Sequence, residues 1–314
     1  MLWVMLWLPL KMHRSNAIQT ASTSKAEAAN CAPSLRLDRT VSIHLIRPLL
    51  QILNGRRAPG IPILMYHGIR AGIGMGHPYF ETATAPVVFE THMQFLAEHG
   101  YKTLTLPAVG ARLEGGLQDK YVAITFDDGY LDFYTHALPI LQKHGFKATV
   151  FIVSGFAGEQ ARGSNGNSFM SWSQIREIQS QGMEIGSHTV THPQLHAMPS
   201  KQVEKEVSES KRAIEEKVGA AVTSFAYPYA FPEQDRQFAK GLRESLKQQG
   251  YESAVSTIIG TARRGNDAFF LPRIPVNSYD DLRFFDVKLN RGYDWLHSLQ
   301  YLRKCANFHH VQQQ

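Results

Sequence analysis

From residue 58 onward, short apolar runs alternate with stretches whose apolar residues recur at helical spacing. IPILMYH (61–67), KTLTL (102–106), YVAITF (121–126), KATVFIV (147–153), MEIGSH (183–188), SFAYPY (224–229), ESAVST (252–257) and FFLPRIPV (269–276) read as short strands, most of them buried. Between them, PVVFETHMQFLAEHG (86–100) gathers Val88, Met93, Phe95 and Leu96 on one side of a helix, with Gly100 as its stop. Residues 131–144 predict a helix interrupted by Pro139 and ended by Gly145. SWSQIREIQSQG (171–182) carries a serine cap and a terminal glycine. SKQVEKEVSESKRAIEEKVG (200–219) is a helix capped by Ser200 and stopped by Gly219, and another is expected near 233–249. Strand then helix, repeated, predicts parallel strands covered by helices. The expected fold class is α/β: a single domain built as an irregular (β/α) barrel of about seven parallel strands.

The first 57 residues break this rhythm. Residues 15–34 are rich in Ser, Thr, Ala and Asn and read as a flexible tail, and VSIHLIRPLLQIL (41–53) as a short helix broken near Pro48. The division expected is a tail over 1–57 and one domain over 58–314. The opening MLWVMLWLPL is apolar but far shorter than the ~20 residues a membrane span needs. Its basic residues follow the apolar run, the reverse of a secretory signal. A weak membrane anchor through residues 1–10, an atypical signal and a mis-assigned start all fit. The location stays open among the cell envelope, a membrane surface and the cytoplasm.

Composition narrows the function classes. Hydrophobic residues make up 43% of the 314, enough for a packed core. The net charge of +6 comes from scattered Lys and Arg, so no nucleic-acid partner is expected. The two cysteines, Cys31 and Cys305, form no CxxC and support neither a disulfide framework nor a cysteine metal site.

In such barrels the chemistry sits at the C-terminal ends of the strands. The strand-like runs deliver YHG (66–68), FDDG (126–129), SHTVTH (187–192), YPY (227–229) and Arg273 at or near that end. His188 and His192 are spaced to share one divalent ion, either one helical turn apart or across a tight loop. No Glu follows the first His, which excludes the zinc-protease helix motif, and Pro193 with Thr189, Val190 and Thr191 favours a loop. Taken alone, this spacing arises easily by chance among fourteen histidines. Asp127 and Asp128 precede a permissive Gly129, so the backbone can turn and aim both carboxylates at the barrel mouth. The competing role for either is a helix cap. Together, one Asp and two His make three metal ligands, and the second Asp remains free as a base. That set suits metal-assisted hydrolysis of an amide or ester.

TFDDG, SHTVTHPQL, SFAYPYA and LMYHG, in these relative positions, resemble the polysaccharide deacetylase (NodB-homology) family, carbohydrate esterase family 4. The likeness runs from about Ile61 to Val276, and ILMYHG is similar to the exopolysaccharide and poly-N-acetylglucosamine deacetylase branch. The resemblance implies Asp127 as catalytic base, Asp128 as metal ligand with His188 and His192, and zinc or another divalent ion as cofactor. It implies a glycan substrate carrying N-acetyl groups and an oxyanion contact from the backbone N–H of Tyr229. Removal of a formyl or O-acyl group, and a catalytically dead sugar-binding module, are the alternatives. Two departures matter. Ala226 stands where many relatives have Arg, so Arg273 is the candidate guanidinium for Asp127. No late Leu-x-His motif is present, so His67 is the candidate general acid, and His297 in DWLHSL is a poorer one. Tyr130, Trp172 and Tyr227 are candidate substrate contacts, with core packing as the competing role. The GIGMG run (72–76) reads as a plain loop, and Glu204 to Glu216 as a solvated charged helix face.

Overall fold

The structure is a computed structural model that describes residues 36–52, 60–70, 78–79, 81–158 and 168–312. The N-terminal run and the GIGMG run lie outside the described residues. In chain order the strands are β1 (Gly60–Ile61), β2 (Ile63–Tyr66), β3 (Lys102–Leu104), β4 (Tyr121–Phe126) and β5 (Thr149–Ile152), then β6 (Glu184–Ser187), β7 (Ser224–Ala226), β8 (Ser253–Ile259), β9 (Ala262–Arg263) and β10 (Leu271–Pro275). The helices are α1 (Leu37–Val41), α2 (Arg47–Ile52), α3 (Pro86–Glu98), α4 (Leu106–Gly115) and α5 (Leu138–Lys143), then α6 (Trp172–Ser180), α7 (Ser200–Val218), α8 (Arg236–Gln248), α9 (Leu282–Leu289) and α10 (Leu296–Gln312).

Seven parallel strands close a barrel in the order β2-β10-β8-β7-β6-β5-β4, and β4 returns to pair with β2. The barrel is irregular in two places. β3 pairs with the first half of β4 while β5 pairs with its end, and the β8–β10 register shifts between Leu271 and Arg273. Side chains alternate across the barrel wall, as a period of two requires. On β4, Val122, Ile124 and Phe126 pack outward against the helices, while Tyr121 and Ala123 face inward with Ile63, Phe151, Ala226, Val255 and Leu271. Continuing that alternation past Ala123 points Thr125 and then Asp127 into the C-terminal mouth.

Helix α4 has no counterpart in the strand-and-helix reading of the sequence. It caps the N-terminal mouth, with Leu106, Val109 and Leu113 joining the inner core. Its first amide donates to Thr149 Oγ1 (3.0 Å) and Glu184 Oε2 (2.9 Å), tying it to the starts of β5 and β6. Pro107, Gly110 and the short length hide this helix in the sequence.

Neither proline expected to break a helix does so. The segments around Pro48 and Pro139 run on through a π turn, Ser42–Ile46 and Phe133–Ala137. In each, the residue just before the proline donates five residues back, Arg47 to Ser42 and Leu138 to Phe133. The widened turn makes room for a proline ring that would clash with the carbonyl four residues earlier. Ser200 is the first helical residue of α7, whose N-cap position is Pro199, so the expected serine cap there is absent; Gly219 does end it in the left-handed conformation.

Residues 36–52, read from sequence as part of the tail, dock on the domain. Ile43 is buried in the main core, and Asp38 is buried beside Arg36 (2.7 Å), the Tyr79 hydroxyl (2.8 Å) and the Tyr293 hydroxyl (3.0 Å). Arg36 also reaches Asp280 (3.2 Å), which pairs with the buried Lys288 (2.7 Å). Among the described residues, no helix is long and apolar enough to cross a membrane.

Candidate active site

The C-terminal ends of β2, β4, β6, β7 and β10 meet at one mouth of the barrel and bring the candidate groups together. Asp127 continues β4, its amide donating to Tyr66 O at 3.0 Å as though the strand went on. The chain then turns sharply: Asp128 has φ 74° and Gly129 φ 73°. Both lie in the left-handed region, which Gly enters freely and Asp tolerates. This turn swings the Asp128 carboxylate toward the loop after β6, so that adjacent aspartates serve different parts of one site.

The Asp128 carboxylate lies 3.5 Å from His188 Nε2 and 3.4 Å from His192 Nε2, and the three donor atoms all fall within 4.8 Å of one another. Donors held at 2.0–2.2 Å by a tetrahedral ion sit roughly 3.3–3.6 Å apart, so both separations from Asp128 fit one divalent ion shared with the two histidines. His188 Nδ1 lies 2.8 Å from the carbonyl of Ala226. A carbonyl only accepts, so Nδ1 carries a proton, and Nε2 is the ring atom turned toward Asp128. Burial, and then the neighbouring His188, hold the His192 pKa down at about 4, which keeps that ring neutral at pH 7.

Asp127 is 3% exposed and is gripped by Arg273, itself 1% exposed, through Nη1 to Oδ1 at 2.7 Å and Nη2 to Oδ2 at 2.8 Å. Arg273 is held in turn by Ser256 O (3.1 Å) and Thr125 Oγ1 (3.2 Å). Burial pushes the Asp127 pKa up, but Arg273, then His188 and His67, outweigh it and hold the carboxyl well below the usual range. His67 Nε2 stands 3.9 Å from Asp127 Oδ2 on the partly open side of the site.

Comparison with known proteins establishes the family. The polysaccharide deacetylase family profile matches residues 114–254. The Bacillus subtilis protein YxkH, which bears a polysaccharide deacetylase name, is 31% identical over 219 residues, spanning 69% of this chain and 71% of YxkH. The chain belongs to the polysaccharide deacetylase family. A Staphylococcus aureus poly-β-1,6-N-acetyl-D-glucosamine N-deacetylase is 24% identical over 199 residues, 60% of this chain and 66% of that protein. The Streptococcus pyogenes deacetylase PplD, solved in complex with acetate, superposes with a TM-score of 0.63 at 27% identity, covering 74% of this chain and 99% of PplD.

Within this family member the rim residues divide. Tyr229, at φ 57° on the loop after β7, is 41% exposed and lays its ring 4.6 Å from that of His192. Tyr130 stacks on Phe169 (5.3 Å) under the Arg70 guanidinium (5.6 Å), directly after the Asp128–Gly129 turn. Trp172 is half-buried and packs against the core, and a Cβ on Gly158 would fall 2.5 Å from its indole. Tyr227, expected at the mouth, lies instead in the core between the barrel and the helices. It is 2% exposed and packs edge-on against Phe231 (4.9 Å) and Phe238 (6.1 Å). The strand alternation explains it, since Ala226 faces the barrel and Tyr227 therefore faces the helices. His297 is paired with Glu233 at 2.8 Å on α10.

Two residues of the site escaped the sequence reading. Glu206 and Ser210 on α7 bond directly to the loop that carries both histidine donors. The signal was a serine at a core position: Val203, Val207, Ser210, Ile214 and Val218 share the buried face of α7.

Proposed function

We propose that this protein is a metal-dependent N-deacetylase that hydrolyses acetamido groups on N-acetylglucosamine-containing glycans. The observation that carries the reading is the Asp128–His188–His192 donor set beside the Asp127–Arg273 pair. These residues offer three candidate metal donors and, in the same barrel mouth, a separate carboxylate paired with a buried guanidinium. A divalent ion held by Asp128, His188 and His192 would lower the pKa of a water molecule and polarise the acyl carbonyl.

The chain's own groups then divide the proton work. Asp127 accepts a proton from the attacking water. Arg273 keeps Asp127 oriented through two bonds, leaving a second lone pair on each oxygen for that proton. Because its pKa is depressed, Asp127 is a weak base that parts readily with the proton, which suits transient relay rather than storage. His67, on the same carboxylate's open side, is placed to protonate the leaving nitrogen. The Tyr229 backbone N–H serves the developing oxyanion. The balance is one water consumed, the C–N bond broken, acetate released and the glucosamine nitrogen left as an amine.

The names of relatives support the acyl group and the sugar: the matched S. aureus protein is a poly-β-1,6-N-acetyl-D-glucosamine N-deacetylase. The test is a panel of glucosamine oligomers bearing N-acetyl, N-formyl or O-acetyl groups, with the released acid quantified. Acetate from the N-acetyl oligomers with little formate or ester hydrolysis supports the proposal. Preferential release from either other substrate assigns a different acyl specificity, and no release from any of them leaves a binding module.

A further inference from the structure

The loop that carries both histidine donors has a conformation its own sequence does not favour. Thr189 sits at φ 68° and His192 at φ 55°, a region that costs a β-branched residue in particular. Something outside the loop must hold it. On one side, Ser154 N donates to Thr189 O (3.1 Å) and Gly155 N to Val190 O (2.9 Å). A Cβ at position 155 would come within 2.6 Å of Val190 O, so this approach requires glycine.

On the other side stands α7. One oxygen of Glu206 accepts from the Val190 amide (2.7 Å) and the Thr191 amide (3.0 Å), while the other accepts from the Thr191 hydroxyl (2.7 Å). Four residues on, on the same helix face, the buried Ser210 donates to Thr189 O (3.0 Å) and accepts from the Ser187 hydroxyl (2.8 Å). Each residue lying between the two donors is therefore bonded to α7.

We propose that Glu206 is a positioning residue for the metal-binding loop, fixing the separation of His188 and His192 through the two amides between them, with Ser210 as a second anchor. This rests on the metal reading above, and it assigns a function to a helix face that sequence alone marks as solvated charge. A purely structural role is distinguishable on physical grounds. Thr191 is exposed and Val190 half-buried, so water can replace Glu206 as their partner at little cost to folding. What water cannot replace is the fixed direction of both amides at once.

The experiment compares wild type, Glu206→Gln and Glu206→Ala. It measures zinc affinity by chelator competition, the melting temperature of the metal-free protein, and amide hydrogen exchange at Val190 and Thr191. Partners that orient metal ligands are commonly worth about 10- to 100-fold in affinity. Glu206→Ala should weaken zinc binding by about that factor while the metal-free protein melts within a few degrees of wild type. Glu206→Gln keeps one acceptor for the amides, loses the negative charge and turns the Thr191 contact round, its Nε2 donating to the hydroxyl, so it should fall between. In a His192→Ala background, Glu206→Ala should add little further loss, because the ligand it positions is gone. Unchanged zinc affinity in Glu206→Ala, or a loss accounted for wholly by global unfolding, would overturn the role. The two readings fail separately. A wild type that binds no zinc removes the metal reading, whereas unchanged exchange at Val190 and Thr191 in metal-free Glu206→Ala removes the clamp itself.

Discussion

Replacing Arg273 by alanine tests how the buried carboxylate is kept charged. Asp127 and Arg273 are both nearly inaccessible and meet through bonds of 2.7 and 2.8 Å. Two unit charges about 4 Å apart at an effective dielectric of about 20 attract by about 4 kcal/mol. Deleting one partner of a buried pair typically costs about 3–5 kcal/mol. At roughly 2–4 °C per kcal/mol for a domain of this size, the melting temperature at pH 7 should drop by about 6–20 °C. The sign of the pH dependence follows from the depressed Asp127 pKa. In the wild type the ionised carboxylate contributes stability above its unfolded pKa of about 3.9, lost as pH falls below it. In Arg273→Ala burial acts unopposed by that guanidinium and raises the folded pKa. The penalty is therefore largest near neutrality and shrinks as acid protonates Asp127 in both states. Melts at pH 7, 5 and 4 should show the gap between the two proteins narrowing. Loss of an ionised base should lower kcat/KM for acetate release by about 10²–10⁴-fold. Adding Asp127→Asn should recover part of the melting temperature and none of the rate. Unchanged kcat/KM in Arg273→Ala, or a stability gap that stays constant with pH, would refute the reasoning.

Three further outcomes follow from particular contacts. His67→Ala should lower kcat by about 10²-fold or more with KM little changed, and remove the basic limb of the pH–rate profile; a preserved limb with similar kcat assigns the general acid elsewhere. Tyr227→Phe should change KM less than about twofold and stability by no more than about 1.5 kcal/mol, because the ring packs in the core and touches no substrate. A chain beginning at residue 58 should be less stable than one beginning at residue 36 by at least about 3 kcal/mol, since it loses Arg36 and Asp38 from the buried cluster with Asp280 and Lys288. Equal melting temperatures would show that the helix over residues 36–52 is dispensable.

What the sequence disclosed was whatever depends on local order. Strand runs bounded by turn residues, and the period of two along YVAITF, lead directly to Asp127 facing the barrel, and the HxxxH spacing leads to the two histidines. What it concealed depends on partners distant in the chain. The charges of Glu206 and its neighbours look alike along α7, and only the folded loop separates the one that bonds to Val190 and Thr191 from those in solvent. Tyr227 lies one residue beyond an inward-facing alanine, and counting from the strand end rather than along the alternation placed it on the wrong side of the wall. The prolines at 48 and 139 carry a strong local signal, yet a π turn absorbs each one, the amide just before the proline bonding five residues back. Helix α4 contains Pro107 and Gly110 and gains its support from burial against the barrel floor, which is invisible in a local window.

The central claim is that Asp128, His188 and His192 hold the ion on which deacetylation depends. Acetate release from an N-acetylglucosamine oligomer should be measured with chelated protein, with the same protein after one equivalent of zinc, and with Asp128→Asn under both conditions. The account predicts negligible release from the chelated wild type, recovery at one equivalent, and no recovery in Asp128→Asn. Full activity in the chelated protein, or zinc-restored activity in Asp128→Asn equal to that of the wild type, would contradict it.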